Sequence, residues 1–299
     1  MILDMLYVSF AVNNVNDSRR AFRDRLALPS ERMPPDSFLG SDGGARIAFP
    51  NKCFLYIVES QQRGSPIYRF LDEKGPGLER IAFRSDDIER EFRRVRSAGI
   101  PLNDGDLEET PSGLRFAVPS RHVSGVTVEI LQPSPGCWPL DPPSSIAGVL
   151  GLQHIGVATN DLTDFVNRFA ELFDLSPSDL RGDQHGGQQK DVIFKPGNDR
   201  LWLHVVESWE PEGRVGCFVE ERGEGLEHIC VEVDDIRESV KRVLDGKCSY
   251  EDNPFLDRMI YTSRPDGFEA FIRPDLMTGL TVELIEPFPF SRGYRERRC

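Results

Sequence analysis

Residues 223–236 read GEGLEHICVEVDDI, and residues 75–88 read GPGLERIAFRSDDI. The two stretches share a glycine turn, alternating apolar positions and a closing acidic pair. Outward from them the match continues. Residues 152–162 (LQHIGVATNDL) align with 5–15 (MLYVSFAVNNV), and 279–287 (GLTVELIEP) with 125–133 (GVTVEILQP). The segments keep one order at a nearly constant offset, so the chain is a duplication with a loop inserted in its second copy.

Each copy repeats again. HIGVAT (154–159) leads into NDLTDFVNRFAELF, and HICVEV (228–233) into DDIRESVKRVL. Both are a short alternating strand followed by an amphipathic helix. The pairs Asn160-Asp161 and Asp234-Asp235 suit helix N-caps, where a side-chain oxygen accepts a free backbone N–H. Runs rich in β-formers follow, such as VIFKPGNDRLWLHVVES (192–208). The unit is strand, helix and about three strands, and four units make the chain. Residues 133–147, PSPGCWPLDPPSSIA, carry five prolines and read as a linker. The expected fold is α+β, with two tandem domains at 1–132 and 151–299 joined by a Pro-rich linker at 133–150. Each domain pairs two βαβββ units in a curved mixed sheet with helices on the outer face.

Composition narrows the partners. The 299 residues are 39% hydrophobic and 28% charged, as in soluble globular proteins, with a net charge of -13. That charge argues against nucleic acid, which needs a basic footprint. No signal peptide is read at the start, and no apolar run is long enough to span a membrane. The cysteines (Cys53, Cys137, Cys217, Cys230, Cys248 and Cys299) form no CxxC pair, so reduced thiols and a cytoplasmic location are expected.

The two-residue period of a strand then sorts side chains by face. His154 and Gly156 share a face, as do His228, Cys230 and Glu232. Glu283 lies with Thr281 and Ile285, and His204 with Trp202 and Val206. The aliphatic faces (Ile155, Val157, Ile229, Val231, Val282, Leu284) belong under the helices. The faces carrying His and Glu belong in the hollow of the sheet.

A lone His on a strand is more often a surface or core residue than a ligand. Here the distribution matters. Of the five His in the chain, His154, His204 and His228 occupy repeat-equivalent positions, and Glu283 takes the fourth. His122 and His185 fall in loops and default to the surface. The first half has Tyr7, Tyr56, Arg80 and Glu129 at the matching positions. Arg cannot shed its proton to ligate a metal, so this half reads as metal-free. The favoured reading is a buried salt bridge around Glu129; the alternative has Arg80 binding a substrate carboxylate or phosphate. The glycine turns at 75–77 and 223–225 are not phosphate loops, because no helix follows directly. Arg292, Arg295, Arg297 and Arg298 read as a solvated tail.

Through LQHIGVATNDL, GEGLEHICVEVDDI and FIRPDLMTGLTVELIEP (271–287), the chain resembles the vicinal oxygen chelate superfamily. That group includes glyoxalase I, methylmalonyl-CoA epimerase, extradiol and 4-hydroxyphenylpyruvate dioxygenases, and bleomycin or fosfomycin resistance proteins. The first half matches through SPIYRFLDEKGPGLERIAF (65–83) and FAVPSRHVSGVTVEILQP (116–133), and the resemblance is strongest to the epimerase-like branch. It implies one divalent metal ion (Fe, Co, Ni, Mn or Zn), with ligands on the first and last strands of each unit. Here those are His154, His228 and Glu283, with His204 as a fourth-ligand candidate. Two imidazoles and a carboxylate suit such ions and leave positions open for a substrate oxygen. The resemblance also gives the Glu283 region a part in proton transfer. The run DRMIYTSRPDGFEAF (257–271) is similar to late strands of extradiol dioxygenases, which puts Tyr261 near the metal.

Three functions follow from the resemblance. The first is an epimerase or isomerase acting through a metal-stabilised enolate on a small carbonyl or acyl substrate. The chain departs from that branch at GDQHGGQQK (182–190), which has no Glu where the epimerases carry an acid. The second is an Fe(II)-dependent dioxygenase, for which a fourth ligand at His204 would occupy a position that oxygen needs. The third is a non-enzymatic binding protein, which the His-His-Glu set argues against. In each case the partner is a small molecule, with the chain a monomer or homodimer.

Overall fold

The computed structural model describes residues 1–33, 43–110, 113–135, 146–177, 179–184, 189–197, 201–208, 210–245, 262–264 and 267–287. The first half runs β1 (Ile2–Ala11), α1 (Val15–Leu26), β2 (Glu31–Met33), β3 (Gly43–Ala48), β4 (Phe54–Glu59), α2 (Pro66–Lys74), β5 (Gly77–Ser85), α3 (Ile88–Ser97), β6 (Glu108–Thr110), β7 (Gly113–Val118) and β8 (Thr127–Pro133). The second runs β9 (Val149–Thr159), α4 (Leu162–Phe173), β10 (Asp179–Gln184), β11 (Gln189–Phe194), β12 (Trp202–Ser208), α5 (Arg214–Arg222), β13 (Gly225–Val233), α6 (Ile236–Asp245), β14 (Thr262–Arg264), β15 (Gly267–Ile272) and β16 (Thr281–Pro287). Most of the proline-rich stretch, 136–145, lies outside the described residues, as do His185 and Tyr261.

Each half forms one eight-stranded sheet, ordered β2-β3-β4-β1-β5-β8-β7-β6 and β10-β11-β12-β9-β13-β16-β15-β14. A unit therefore contributes four adjacent strands, and its two units meet antiparallel at β1–β5 and β9–β13. The first and last strands of a unit run parallel, as β12 with β9 and β13 with β16. Parallel neighbours need a crossover, and the helix and two strands between them supply it. The βαβββ reading thus holds in all four units.

Two helices fall outside that reading. The segments α2 and α5 connect units, and at nine residues each they are too short to register as a helical period. Ser65 caps α2 by accepting the Tyr68 N–H at 3.1 Å, with a proline in the first turn. Neither helix joins the outer layer. Ile67 of α2 packs with Tyr7 and Tyr56, and Val215 of α5 packs with Ala158 and Val206.

The aliphatic strand faces lie under the other helices. Ile155, Val157, Ile229, Val231, Val282 and Leu284 share one core with Phe165 and Phe169 of α4 and Val240 and Val243 of α6. That core also holds Val8, Phe10, Ile81 and Phe83 of the first half. The Phe83 ring lies 6.4 Å from Phe169 and 6.1 Å from Phe173. Asn51 donates to the Leu152 carbonyl at 2.8 Å and accepts from the Leu152 N–H at 3.2 Å. At Gly125 (φ +78°) a Cβ would come within 1.9 Å of the Glu224 carbonyl oxygen. The halves are therefore packed against each other backbone to backbone at this point.

Helix starts are secured twice. Asp161 accepts from the Asp164 N–H at 2.9 Å, and Asp235 accepts from Arg237 and Glu238 at 2.9 and 3.0 Å. A second acceptor comes from the sheet. Glu59, Gln132, Glu207 and Glu286 accept the N–H of Val15, Ile88, Leu162 and Ile236 at 2.8, 2.9, 2.8 and 2.9 Å. Each such bond is worth about 1 kcal/mol to its helix. In every unit this acceptor stands three residues after the inner position, which aligns Tyr56, Glu129, His204 and Glu283 as equivalents.

Among the described residues Cys53, Cys217 and Cys230 carry free thiols, and no helix is long and apolar enough to cross a membrane.

Candidate metal centre

The four central strands of the second sheet, β12-β9-β13-β16, carry His204, His154, His228 and Glu283. Register sets their neighbours. Cys230 sits opposite His154 on one side and Glu283 on the other, and His204 sits opposite Gly156. The inner face is as the two-residue period placed it, apart from three shifts in the β9–β13 register. The shift between Leu226 and His228 disturbs the alternation, and Glu227 turns toward the His228 imidazole.

Three donor atoms converge. His154 Nε2 and His228 Nε2 each lie 3.1 Å from Glu283 Oε2, and 3.3 Å from each other. All three side chains are buried, at 4%, 1% and 5% exposure. Ligands at right angles on a metal with bonds of about 2.0–2.2 Å would be about 3 Å apart. The spacing therefore fits three cis ligands on one face of an ion.

The second ring nitrogens are taken. His154 Nδ1 is 3.1 Å from the Gln153 amide oxygen, which can only accept. His228 Nδ1 is hydrogen-bonded to Glu227. With each Nδ1 proton donated to these acceptors, both Nε2 atoms face Glu283. A carboxylate and two ring nitrogens so placed need a positive centre between them. A proton on one nitrogen satisfies part of the set; a divalent ion satisfies all of it.

The charges follow the same logic. Burial lowers His154 to about 4, so its ring is neutral at pH 7. Burial opposes charge on His228, but Glu227 and Glu283 outweigh it and raise this group. Burial likewise opposes Glu283, yet His154 and His228 hold its carboxyl well below the ordinary range. Burial works against Glu227 too, and Arg214 with His228 brings it down to about 2. Arg214, at the start of α5, pairs with Glu227 and lies over the Phe271 ring at 4.3 Å. A carboxylate fixed by an arginine thus holds the His228 ring.

Packing fixes the rings. Trp202 lies 4.7 Å from His154, and Phe271 meets His228 edge-on at 5.6 Å. The His228 ring lies over Gly156. Cys230 is the neighbour that sequence reasoning passes over. Its sulfur lies with donor atoms of His154 and Glu283, all within 4.8 Å of one another. Burial and Glu283 push its thiol well above the ordinary value, so it stays protonated.

His204 stands beside this set in a different role. Its ring is 5.3 Å from that of His154, edge to face. Its Nε2 is 2.8 Å from Asp191 Oδ2, a buried carboxylate on β11. One ring nitrogen is therefore committed to Asp191, and Nδ1 alone remains for a further partner. Nothing in the sequence marks Asp191.

In the first half Tyr7 donates to Glu129 Oε2 at 3.0 Å and Arg80 Nη1 donates to the same oxygen at 3.1 Å. Arg80 also makes two bonds to Glu79. Tyr7 and Tyr56 meet edge to face at 4.6 Å. The guanidinium thus supplies the positive centre that this carboxylate needs. Burial raises the Glu129 carboxyl, against the pull of Arg80. The sequence alternative in which Arg80 is free to take a substrate anion meets a side chain already paired with two carboxylates.

Residues 153–256 match the model of the Glyoxalase/Bleomycin resistance protein/Dioxygenase superfamily. The matched stretch lies in the second half of the chain and includes His154 and His228. A curated relative is the uncharacterized protein YqjC of Bacillus subtilis (strain 168), 25% identical over 134 residues, which cover 42% of this chain and 90% of YqjC. Among solved structures, a mutant of 4-hydroxymandelate synthase from Streptomyces coelicolor is similar over 96% of this chain and 93% of its own, with a TM-score of 0.68 and 16% identity. A xylose isomerase-like TIM barrel/4-hydroxyphenylpyruvate dioxygenase fusion protein is similar over 96% of this chain and 49% of its own, at TM-score 0.62 and 17% identity. At these identities the likeness is one of fold.

Proposed function

We propose that the chain is a metal-dependent enzyme in which His154, His228 and Glu283 hold one divalent ion, and that it moves a proton beside the carbonyl of a small carbonyl or acyl substrate. The observation that carries this reading is the convergence of three donor atoms at 3.1, 3.1 and 3.3 Å with both Nδ1 atoms otherwise engaged. A divalent ion there would oppose negative charge as it develops on a substrate oxygen.

The chain's own residues supply the rest. Glu227 and Gln153 fix the tautomers and orientations of the two imidazoles. Trp202 and Phe271 wall the rings. His204, held through Nε2 by Asp191, is the group suited to take the α-proton on Nδ1 and return it. This pairing answers the missing acid in 182–190: the proton carrier is a histidine one strand away from His154.

The second reading, an Fe(II)-dependent dioxygenase, draws on the same His204–Asp191 bond. A His204 tied to Asp191 leaves three protein ligands and open positions for oxygen and substrate.

One set of measurements separates them. Protein loaded with Co, Ni or Zn should exchange a substrate α-proton for solvent deuterium under anaerobic conditions, across a panel of 2-substituted acyl thioesters and α-hydroxyketones. Oxygen uptake by the Fe-loaded protein, with no anaerobic exchange, would establish the dioxygenase instead. His204→Gln should abolish exchange and keep the metal. Loss of the metal in that variant would make His204 a ligand.

A further inference from the structure

The first half has a hollow of its own, a cleft of about 680 Å³ between α2, β5, β7 and β8. Its volume is in the range of small-molecule sites. Glu129 lines it and is 1% exposed. Tyr7 and Arg80 both donate to Glu129 Oε2, so this carboxylate is built as an acceptor. Its other oxygen, Oε1, is buried and accepts no hydrogen bond among the described residues. Arg115 Nη1 is 3.9 Å from Oε1, beyond bonding range, and is held there by Glu108. A buried acceptor without a donor is costly. A ligand that brings a donor removes that cost.

The same cleft also carries cations open to an anion. Arg69 and Arg121 line it, and neither side chain has an ion-pair or hydrogen-bond partner among the described residues. Phe70, partly buried on α2, adds an apolar wall. The cleft therefore offers an acceptor within, arginines for an anion, and an aromatic surface between polar groups.

We infer that the first-half cleft is a metal-free binding site for a small organic acid that carries a hydroxyl or ammonium donor, with the donor on Glu129 Oε1 and the carboxylate on Arg69 and Arg121. Arg80 does not take the anion; it pairs with Glu129 and Glu79 and aligns the Glu129 carboxyl. The residues lining the cleft all lie between Pro66 and Glu129, apart from the proposed metal centre.

Three probes that share a ring and a carboxylate test it: 4-hydroxybenzoate, 4-(aminomethyl)benzoate and benzoate, each titrated into the full-length protein by calorimetry. At least one donor-bearing probe should bind about tenfold more tightly than benzoate, the scale of one hydrogen bond to a charged group. Preference for the hydroxyl names a hydroxy acid, and preference for the ammonium names an amino acid. The double variant Arg69→Ser/Arg121→Ser, altered only at the cleft surface, should weaken the binding of all three about tenfold or more. Glu129→Gln should erase the preference over benzoate. If Glu129→Gln fails to fold, the surface variant still decides. Equal binding of the three probes, no binding of any, an unchanged double variant, or loss of binding in His154→Ala would each overturn the assignment.

Discussion

The His228 imidazole lies directly over Gly156, so close that a Cβ at Gly156 would fall 2.0 Å from Cε1 and 2.1 Å from Nδ1 of the ring. The glycine of the HIGVAT strand is thus a requirement of the histidine on the next strand. The backbone φ at Gly156 is not positive, so the constraint is one of space and not of conformation.

Gly156→Ala should move the ring off Glu283 and weaken metal binding by tenfold or more, while the far-UV spectrum stays native. Competition with a chromogenic chelator measures the affinity. Unchanged affinity would mean that His228 is not a ligand.

Glu227→Gln should cost 10–100-fold in metal affinity, because a neutral amide replaces the carboxylate that pairs with Arg214 and orients His228. It should also change acid stability of the metal-free protein. The Glu227 carboxyl is held at about 2 when folded, from 4.5 when free. Between those values the unfolded chain binds the extra proton, so stability conferred by this group is full above pH 4.5 and is lost as pH falls toward 2. Urea midpoints taken from pH 7 to pH 3 should therefore fall more steeply in the native sequence than in the variant.

Arg80→Met should destabilise the protein by about 3–5 kcal/mol, since it leaves Glu79 and Glu129 buried without their cation. Urea unfolding reads this directly. A loss under about 1 kcal/mol would show that the first-half cluster is not held by charge.

Much of this architecture is legible in the amino-acid sequence. The duplication, the four βαβββ units and the inward faces of His154, His228 and Glu283 follow from the period of a strand and from matched segments. The Glu129–Arg80 pair is also expected there, because a buried carboxylate beside an arginine has one obvious partner. What escapes the sequence follows from geometry that no period records. The shift between Leu226 and His228 turns Glu227 toward the His228 ring, against strict alternation. Asp191 reaches His204 from a neighbouring strand, a pairing set by β11–β12 register alone. Arg214 enters from α5, a helix too short to announce itself. Tyr261, expected as a neighbour of the metal, lies outside the described residues.

The four acceptors Glu59, Gln132, Glu207 and Glu286 each tie the end of an inner strand to the first N–H of a helix. A strand that slipped by one residue would turn its inward side chain to the opposite face. Here the same slip would pull the acceptor off its helix. Misplacing Glu283 and uncapping α6 are therefore one event. The strand error is penalised in folding energy before any ion or substrate is present, so the acceptor acts as a proofreader of register.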